Sequence, residues 1–244
     1  MAAGLQWTLP AQLNSADDQL AAMADYEKSY RALATLPHPE FSQTLVTLDM
    51  CPEQRMVHIQ SQNQITNHWG QPIHSILVTT KQTLQSISIK TGRTVEQKSA
   101  VLWHTYRIEL SQPMQPGASL TLDYSLQMRS EAFAVDRGIV ENGMYFHQGE
   151  FEPLLGYAAT LEIDDHFSRQ QYGLAKTPSH LSGLNTQKRT LSATLSTDSS
   201  QTAVTSGELV KQWQQGGRSY FQYAMTHTMY LVVGYFSAAF QTHQ

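Results

Sequence analysis

Two periods of hydrophobicity divide the chain. Between Ser15 and Leu36, apolar side chains recur three and four residues apart at Leu20, Met23, Tyr26, Tyr30 and Leu33, and this spacing predicts one amphipathic helix. Ser15-Ala-Asp-Asp18 supplies its start, with a hydroxyl to accept from a free amide and a carboxylate near the positive end. Pro37 and Pro39 end it, because proline lacks the amide donor and restricts the residue before it. After Pro39 the period becomes two. Leu120, Leu122, Tyr124, Leu126 and Met128 alternate with Thr121, Asp123, Ser125, Gln127 and Arg129, which predicts a strand with one buried and one wet face. Leu102, His104, Tyr106, Ile108 and Leu110 repeat the pattern, and the turn Pro113-Met-Gln-Pro-Gly117 separates the two runs.

Shorter alternating runs follow the same rule at Leu45, at Val57 to Ile59, over 73–80, 84–90, 191–196 and 220–225, and over 230–240. Gly216-Gly217 offers a hairpin turn before Tyr220. Asp165 to Tyr172 is predicted as a short helix stopped by Gly173, and the rest of 164–188 as a surface loop. About ten strands after one helix predict an all-β body, a saddle-like double-sheet β-sandwich over 37–240. Residues 1–36 form a linker and the amphipathic helix.

Composition narrows the function classes. The 244 residues are 41% hydrophobic and only 15% charged, so polarity comes from Gln, Ser and Thr, and a sizeable core is within reach. A formal charge of −4 leaves no basic excess for phosphates and excludes nucleic acid as an obligate partner. The most apolar stretch, Met229 to Phe240, is too short to span a bilayer, and Met1 to Pro10 lacks the pattern of a secretory leader. A single cysteine, Cys51, excludes an internal disulfide and reads as a buried, inert thiol.

Candidate catalytic chemistry is sparse. The ten histidines include no His-Glu-x-x-His, and His68, His74, His104, His147, His166 and His180 read as surface or satisfied core residues rather than ligands. No Gly-x-Ser-x-Gly elbow or phosphate-cradling glycine loop occurs. Glu141, Glu150, Glu152, Glu162, Asp164 and Asp165 cluster, and could be read as a glycosidase pair, but acidic residues in turns serve solvation first. Tyr145, Phe146, Phe151 and Tyr157 either line a ligand groove or belong to the core, the latter being usual in an all-β domain.

An ordered series of segments resembles one family. It runs through Tyr26-Glu-Lys-Ser-Tyr-Arg31, Leu36-Pro37, Asp49-Met-Cys-Pro-Glu-Gln-Arg55, the Asn67 to Ile73 run NHWGQPI and Gln112-Pro-Met-Gln-Pro-Gly117. It continues through Glu141-Asn-Gly-Met-Tyr-Phe146, Phe151-Glu-Pro-Leu-Leu-Gly-Tyr157, Leu161-Glu-Ile-Asp-Asp165, Arg169 and Tyr172-Gly-Leu174. Gly207 to Trp213, Gly217 to Tyr223 and Met229 to Phe236 extend it. This order resembles the extracytoplasmic region of bacterial membrane proteins that fuse an ABC-type permease to an aminopeptidase N-like zinc metallopeptidase.

The resemblance implies the following. The chain would be the family's non-catalytic amino-terminal β-domain, with no metal or catalytic residue of its own, and the zinc would sit in a catalytic domain beyond Gln244. It would lie on the periplasmic side of an inner membrane, partnered by its own carboxy-terminal peptidase domain, by membrane helices and by peptide substrate. The family's amine-binding motif, approximately Gln-x-Glu-Pro, falls nearest Glu150-Phe-Glu152-Pro153 with Gln148 upstream, so Glu152, Glu150 and Gln148 are the implied substrate contacts. A carboxylate suits an ammonium because it gives a charge-assisted acceptor at a fixed distance. The arginine that usually follows the motif is replaced here by Leu155-Gly156-Tyr157. The alternative reading is an independent periplasmic module that binds peptide or glycan.

Overall fold

A computed structural model describes residues 15–100, 103–130, 138–140, 142–175, 188–230 and 233–240. The helix α1 (Ala16–Tyr30) is followed by β1 (Glu40–Cys51), β2 (Met56–Thr66), β3 (Ile73–Thr80), β4 (Leu84–Ile89) and β5 (Gly92–Ser99). Then come β6 (His104–Met114), β7 (Ser119–Arg129), β8 (Ile139–Val140), β9 (Gly143–His147) and β10 (Leu154–Leu155). The short helix α2 (His166–Gln171) precedes β11 (Lys188–Asp198), β12 (Thr202–Thr205), β13 (Glu208–Gln215), β14 (Arg218–Tyr230) and β15 (Gly234–Ala238).

These strands form three sheets. The largest has seven strands in the order β13-β14-β11-β1-β2-β7-β4, and two four-stranded sheets run β10-β3-β6-β5 and β12-β15-β9-β8. The large sheet is mixed, since β1 and β11 pair in parallel while its other neighbours are antiparallel. A parallel pair needs a long crossover, and the chain from Cys51 to Lys188 provides it.

Alternation decides the layers. In β7 the buried residues are Leu122, Tyr124, Leu126 and Met128, the apolar set that period two selects. One half of the inner face of the large sheet, with Val46, Leu48, Val57 and Ile59, packs on Phe146, Phe151 and Tyr235 of the β9/β15 sheet region. The other half, with Phe41, Ile65 and Leu122, packs on Ile76, Val78, Tyr106 and Ile108 of the β3/β6 sheet. The expected double sheet is therefore one broad sheet backed by two smaller ones side by side.

The helix covers the far side of the β3/β6 sheet. Tyr26, 2% exposed, stacks on Tyr157 at 5.5 Å and meets Trp103 edge-on at 5.9 Å. Its hydroxyl accepts from the Ala158 amide at 2.9 Å. Ser15 and Asp18 form the reciprocal capping box that the sequence indicates. The helix stops at Tyr30, short of Leu36. A tight turn at Arg31–Leu33 follows, because Leu36 precedes proline and is held out of the helical region. Beside Tyr26, Glu27 is buried and takes both guanidinium nitrogens of the fully buried Arg169 at 3.0 and 2.7 Å, and also pairs with Arg31. Arg169 further donates to the carbonyls of Ile163 and Ala175, so one side chain ties α1 to the segment around α2.

Two other turns follow the sequence closely. Gly216 and Gly217, at φ 57° and 76°, make the two-residue hairpin between β13 and β14 that needs positive φ at both positions. Asp165 caps α2 by accepting from the Ser168 amide at 2.7 Å, and Gly173 at φ 67° closes it. The single strand expected over 230–240 is two elements, the end of β14 and then β15, with 231–232 outside the described residues. The surface loop expected after α2 lies largely outside them too, over 176–187.

Candidate functional site

The segment that carries Gln148, Glu150 and Glu152 leaves β9 and turns under β15. Gln148 donates its amide to the Val233 carbonyl at 2.9 Å, which fixes the exit of the strand, and a single helical turn at 148–150 follows. Phe151 anchors that turn, 2% exposed, against Phe146 and Tyr235. The Glu152 amide returns to the Gln148 carbonyl at 2.9 Å, so the two side chains are brought to one side. Pro153 is buried, and Leu154 and Leu155 pair with Thr79 and Val78 of β3.

The three sequence-selected residues meet, but not as an open acceptor for an amine. Glu152 Oε2 receives Arg189 Nη2 at 2.6 Å, and Glu152 Oε1 receives Gln148 Nε2 at 2.6 Å. Gln148, 3% exposed, accepts in turn from the Tyr235 hydroxyl at 3.2 Å. The two side chains of the ion pair are 9% and 3% exposed, with the Arg189 guanidinium 4.7 Å over the Phe41 ring. The resemblance implies Glu152 as a contact for a substrate amine; in the structure its part-buried carboxylate faces Arg189 instead. That cation comes from the second residue of β11. Burial and the nearby Glu152 charge push the Tyr235 and Tyr124 hydroxyls well above their ordinary pKa.

Glu150 behaves differently. Its side chain keeps 34% exposure, accepts from the His147 amide at 3.1 Å and lies 3.3 Å from His147 Nε2. Within this loop it is the carboxylate open to a partner.

Other candidates fall apart spatially. Glu162 is buried and accepts from the Tyr157 hydroxyl at 2.8 Å, while Asp165 is spent on the α2 cap. Cys51 is buried, and burial raises its thiol pKa. His104 sits between Thr83 and Ser99, and burial lowers its pKa. Glu141 and His180 lie outside the described residues. Among the described residues, no group of three or more His, Cys, Asp and Glu side chains could hold a metal ion, and no helix is long and apolar enough to cross a membrane.

The aromatic candidates divide. Phe146 and Phe151 are core, whereas Tyr145 is 50% exposed. It stacks on Phe236 at 4.8 Å, and Phe236, 40% exposed, pairs across the sheet with Val204. These three side chains make an apolar ladder on the outer face of the β12-β15-β9-β8 sheet, two residues from the Glu150 loop. Sequence reasoning missed both the ladder and Arg189. The latter was detectable, because Arg189 is in phase with Leu191, Ala193 and Leu195 and so points inward.

No protein-family model matches the chain, and no curated protein matches it in sequence. Solved structures do match in fold. The M1 zinc metallopeptidase from Deinococcus radiodurans superposes with a TM-score of 0.56 at 12% identity, over 83% of this chain and 42% of that one. A mutant of that enzyme gives 0.53 over 84% and 43%, and a two-domain mutant bound to L-tryptophan gives 0.52 over 84% and 44%, both at 12% identity. The chain thus spans less than half the length of the structures it matches. Its architecture, a leading helix followed by packed mixed sheets with no metal centre among the described residues, is the fold of the aminopeptidase N-like amino-terminal domain.

Proposed function

We propose that this chain is the non-catalytic amino-terminal β-domain of a membrane-anchored, periplasmic aminopeptidase N-like protein fused to a transporter permease, with 37–240 as the sandwich proper. It packs on a zinc peptidase domain and shapes one wall of its substrate cleft. The observation that carries this reading is the fold match, which takes up most of this chain but leaves more than half of the matched peptidase uncovered. The exposed Val204–Phe236–Tyr145 ladder supports it as a seat for a second domain, since an apolar patch with polar surroundings suits burial against a partner. The neighbouring loop then faces the cleft. Glu150 offers the carboxylate for a substrate amine, and Gln148 and Glu152 position the turn through Arg189 and Tyr235.

The reading frame beyond Gln244 tests the proposal. A His-Glu-x-x-His within about 100 residues, with membrane-spanning segments elsewhere in the same frame, supports it. A frame that ends or continues without that motif overturns it. If the motif is present, Tyr145→Lys with Phe236→Lys should weaken association with a separately expressed peptidase domain.

A further inference from the structure

The outer face of the seven-stranded sheet is concave and holds an open trough of about 690 Å³. Cross-strand register lays one row of side chains along its floor. Gln222 of β14 stands opposite Thr194 of β11, which stands opposite Thr47 of β1. Thr47 faces Gln60 of β2, Gln60 faces Ser125 of β7, and Ser125 faces Ser86 of β4. With strands spaced about 4.8 Å apart, six such positions give a floor roughly 24 Å long.

All six side chains are uncharged amides or hydroxyls. The carboxylate beside them, Asp123, already accepts from Gln62 at 3.1 Å, and Asp49 at the rim is neutralised by Arg218. Elsewhere the chain solvates a sheet with charges: Arg93, Glu96, Lys98, Arg107 and Glu109 crowd β5 and β6, with Arg107 Nε 3.2 Å from Glu96. At the β13 end, one row over from Gln222, Trp213 stacks on Tyr220 with ring centroids 5.0 Å apart and planes 10° off parallel. Lys211 lies 4.9 Å from the indole and helps hold it in place.

We propose that this trough binds a neutral oligosaccharide laid across the strands, perpendicular to them. Amides and hydroxyls both donate and accept, which matches the alternating hydroxyls of a sugar chain, and the Trp213–Tyr220 stack gives an apolar wall for a pyranose face. One cation, Lys211, stands opposite Gln222 at the β13 end, while Asp123 and Asp49 lie along the trough, so an anionic chain finds little net positive charge to pair with. The site lies on the side of the large sheet away from the Val204–Phe236–Tyr145 ladder, so it does not depend on the domain-docking reading.

The test is affinity electrophoresis of the 244-residue chain through gels containing hydroxyethyl cellulose, glucomannan, dextran or glycogen, followed by calorimetry with a hexasaccharide of the retarding polymer. The expected result is retardation by at least one neutral polymer. Thr47→Arg/Gln60→Glu, an opposite-charge cross-strand pair that keeps the sheet stable while closing the floor, should weaken it at least about tenfold. Trp213→Ala should do the same, and both variants should keep the parent melting temperature within a few degrees. Failure of every neutral polymer to retard the parent chain overturns the proposal. So does retardation that both folded variants retain, or retardation confined to carboxymethyl cellulose as an anionic control.

Discussion

Arg189→Met isolates the interior ion pair that holds the 148–152 loop. Methionine keeps the length and apolar stem, so the side chain can still cover Phe41, but the guanidinium that lies 2.6 Å from Glu152 is gone. Glu152 then keeps its charge on a side chain only 9% exposed and loses the Arg189 guanidinium. Removing one partner of a buried pair costs about 3–5 kcal/mol, because the remaining charge must be rehydrated or neutralised. For a domain of this size that lowers Tm by roughly 6–20 °C. Glu152→Gln should cost a comparable amount by stranding the arginine. The double variant Arg189→Met/Glu152→Leu removes both charges and should recover most of the loss, to within about 1–2 kcal/mol of the parent. Urea unfolding followed by circular dichroism gives all three values and the coupling energy. A single-variant loss below about 1 kcal/mol, or a double variant as unstable as the sum of the singles, would refute the argument that the pair is buried and coupled.

Four further outcomes follow from the same geometry. Tyr26, Tyr30, Tyr124, Tyr157 and Tyr235 have raised pKa values, with burial the largest cause in each. Their neutral forms thus stabilise the fold fully below the ordinary tyrosine value near 10, and that stability is lost as pH rises beyond it; the share of tyrosinate absorbance that comes from these five should appear only together with loss of the β signal. Gly156→Ala sets a Cβ 2.6 Å from His38 Cγ at a φ of +83°, and should cost about 1–3 kcal/mol in urea melts, with part of the loss recovered by His38→Ala. Ser15→Ala removes the capping hydroxyl and should cost about 1 kcal/mol, seen as faster amide exchange over the first turn of α1. Metal analysis of the purified chain after mild chelation should return far less than one zinc per molecule; a stoichiometric zinc would show that a site has been overlooked.

Much of the local structure was legible, because period two reports directly on burial. The alternation of Leu120 to Met128 is the burial pattern of β7, and the run over 73–80 matches β3 end to end. Turn chemistry was equally legible where only glycine fits, as at Gly216 and Gly217. What escaped depends on pairs distant in sequence. The parallel joining of β1 to β11 creates the seven-stranded sheet and cannot be read from either strand alone. Glu27 and Arg169 stand 142 residues apart, and Glu152 and Arg189 stand 37 apart. A lone carboxylate in a loop looks like a site until its arginine is found. The pairing of Glu152 with Arg189 escaped because β11 was read as starting at Leu191 rather than at Lys188.

The charges this fold buries are nearly all spent inside it, and that bears on which surfaces remain for other molecules. Arg169 and Arg189 each pin a loop to a core element through a buried carboxylate, an arrangement that is costly to break and adds little over apolar packing. Such pairs serve geometry: one fixes α1 against the segment at 163–175, the other fixes the 148–152 turn beneath β15. Both turns border the outer face of the β9/β15 sheet or the helix layer rather than the trough. The large sheet's outer face, by contrast, is built on ladders of backbone bonds and needs no buried ion to hold its side chains in register. The proposed domain-facing surface, positioned by interior ion pairs, and the proposed ligand-facing surface, positioned by the sheet itself, can therefore coexist on opposite sides of one core, and changes on either should leave the geometry of the other intact.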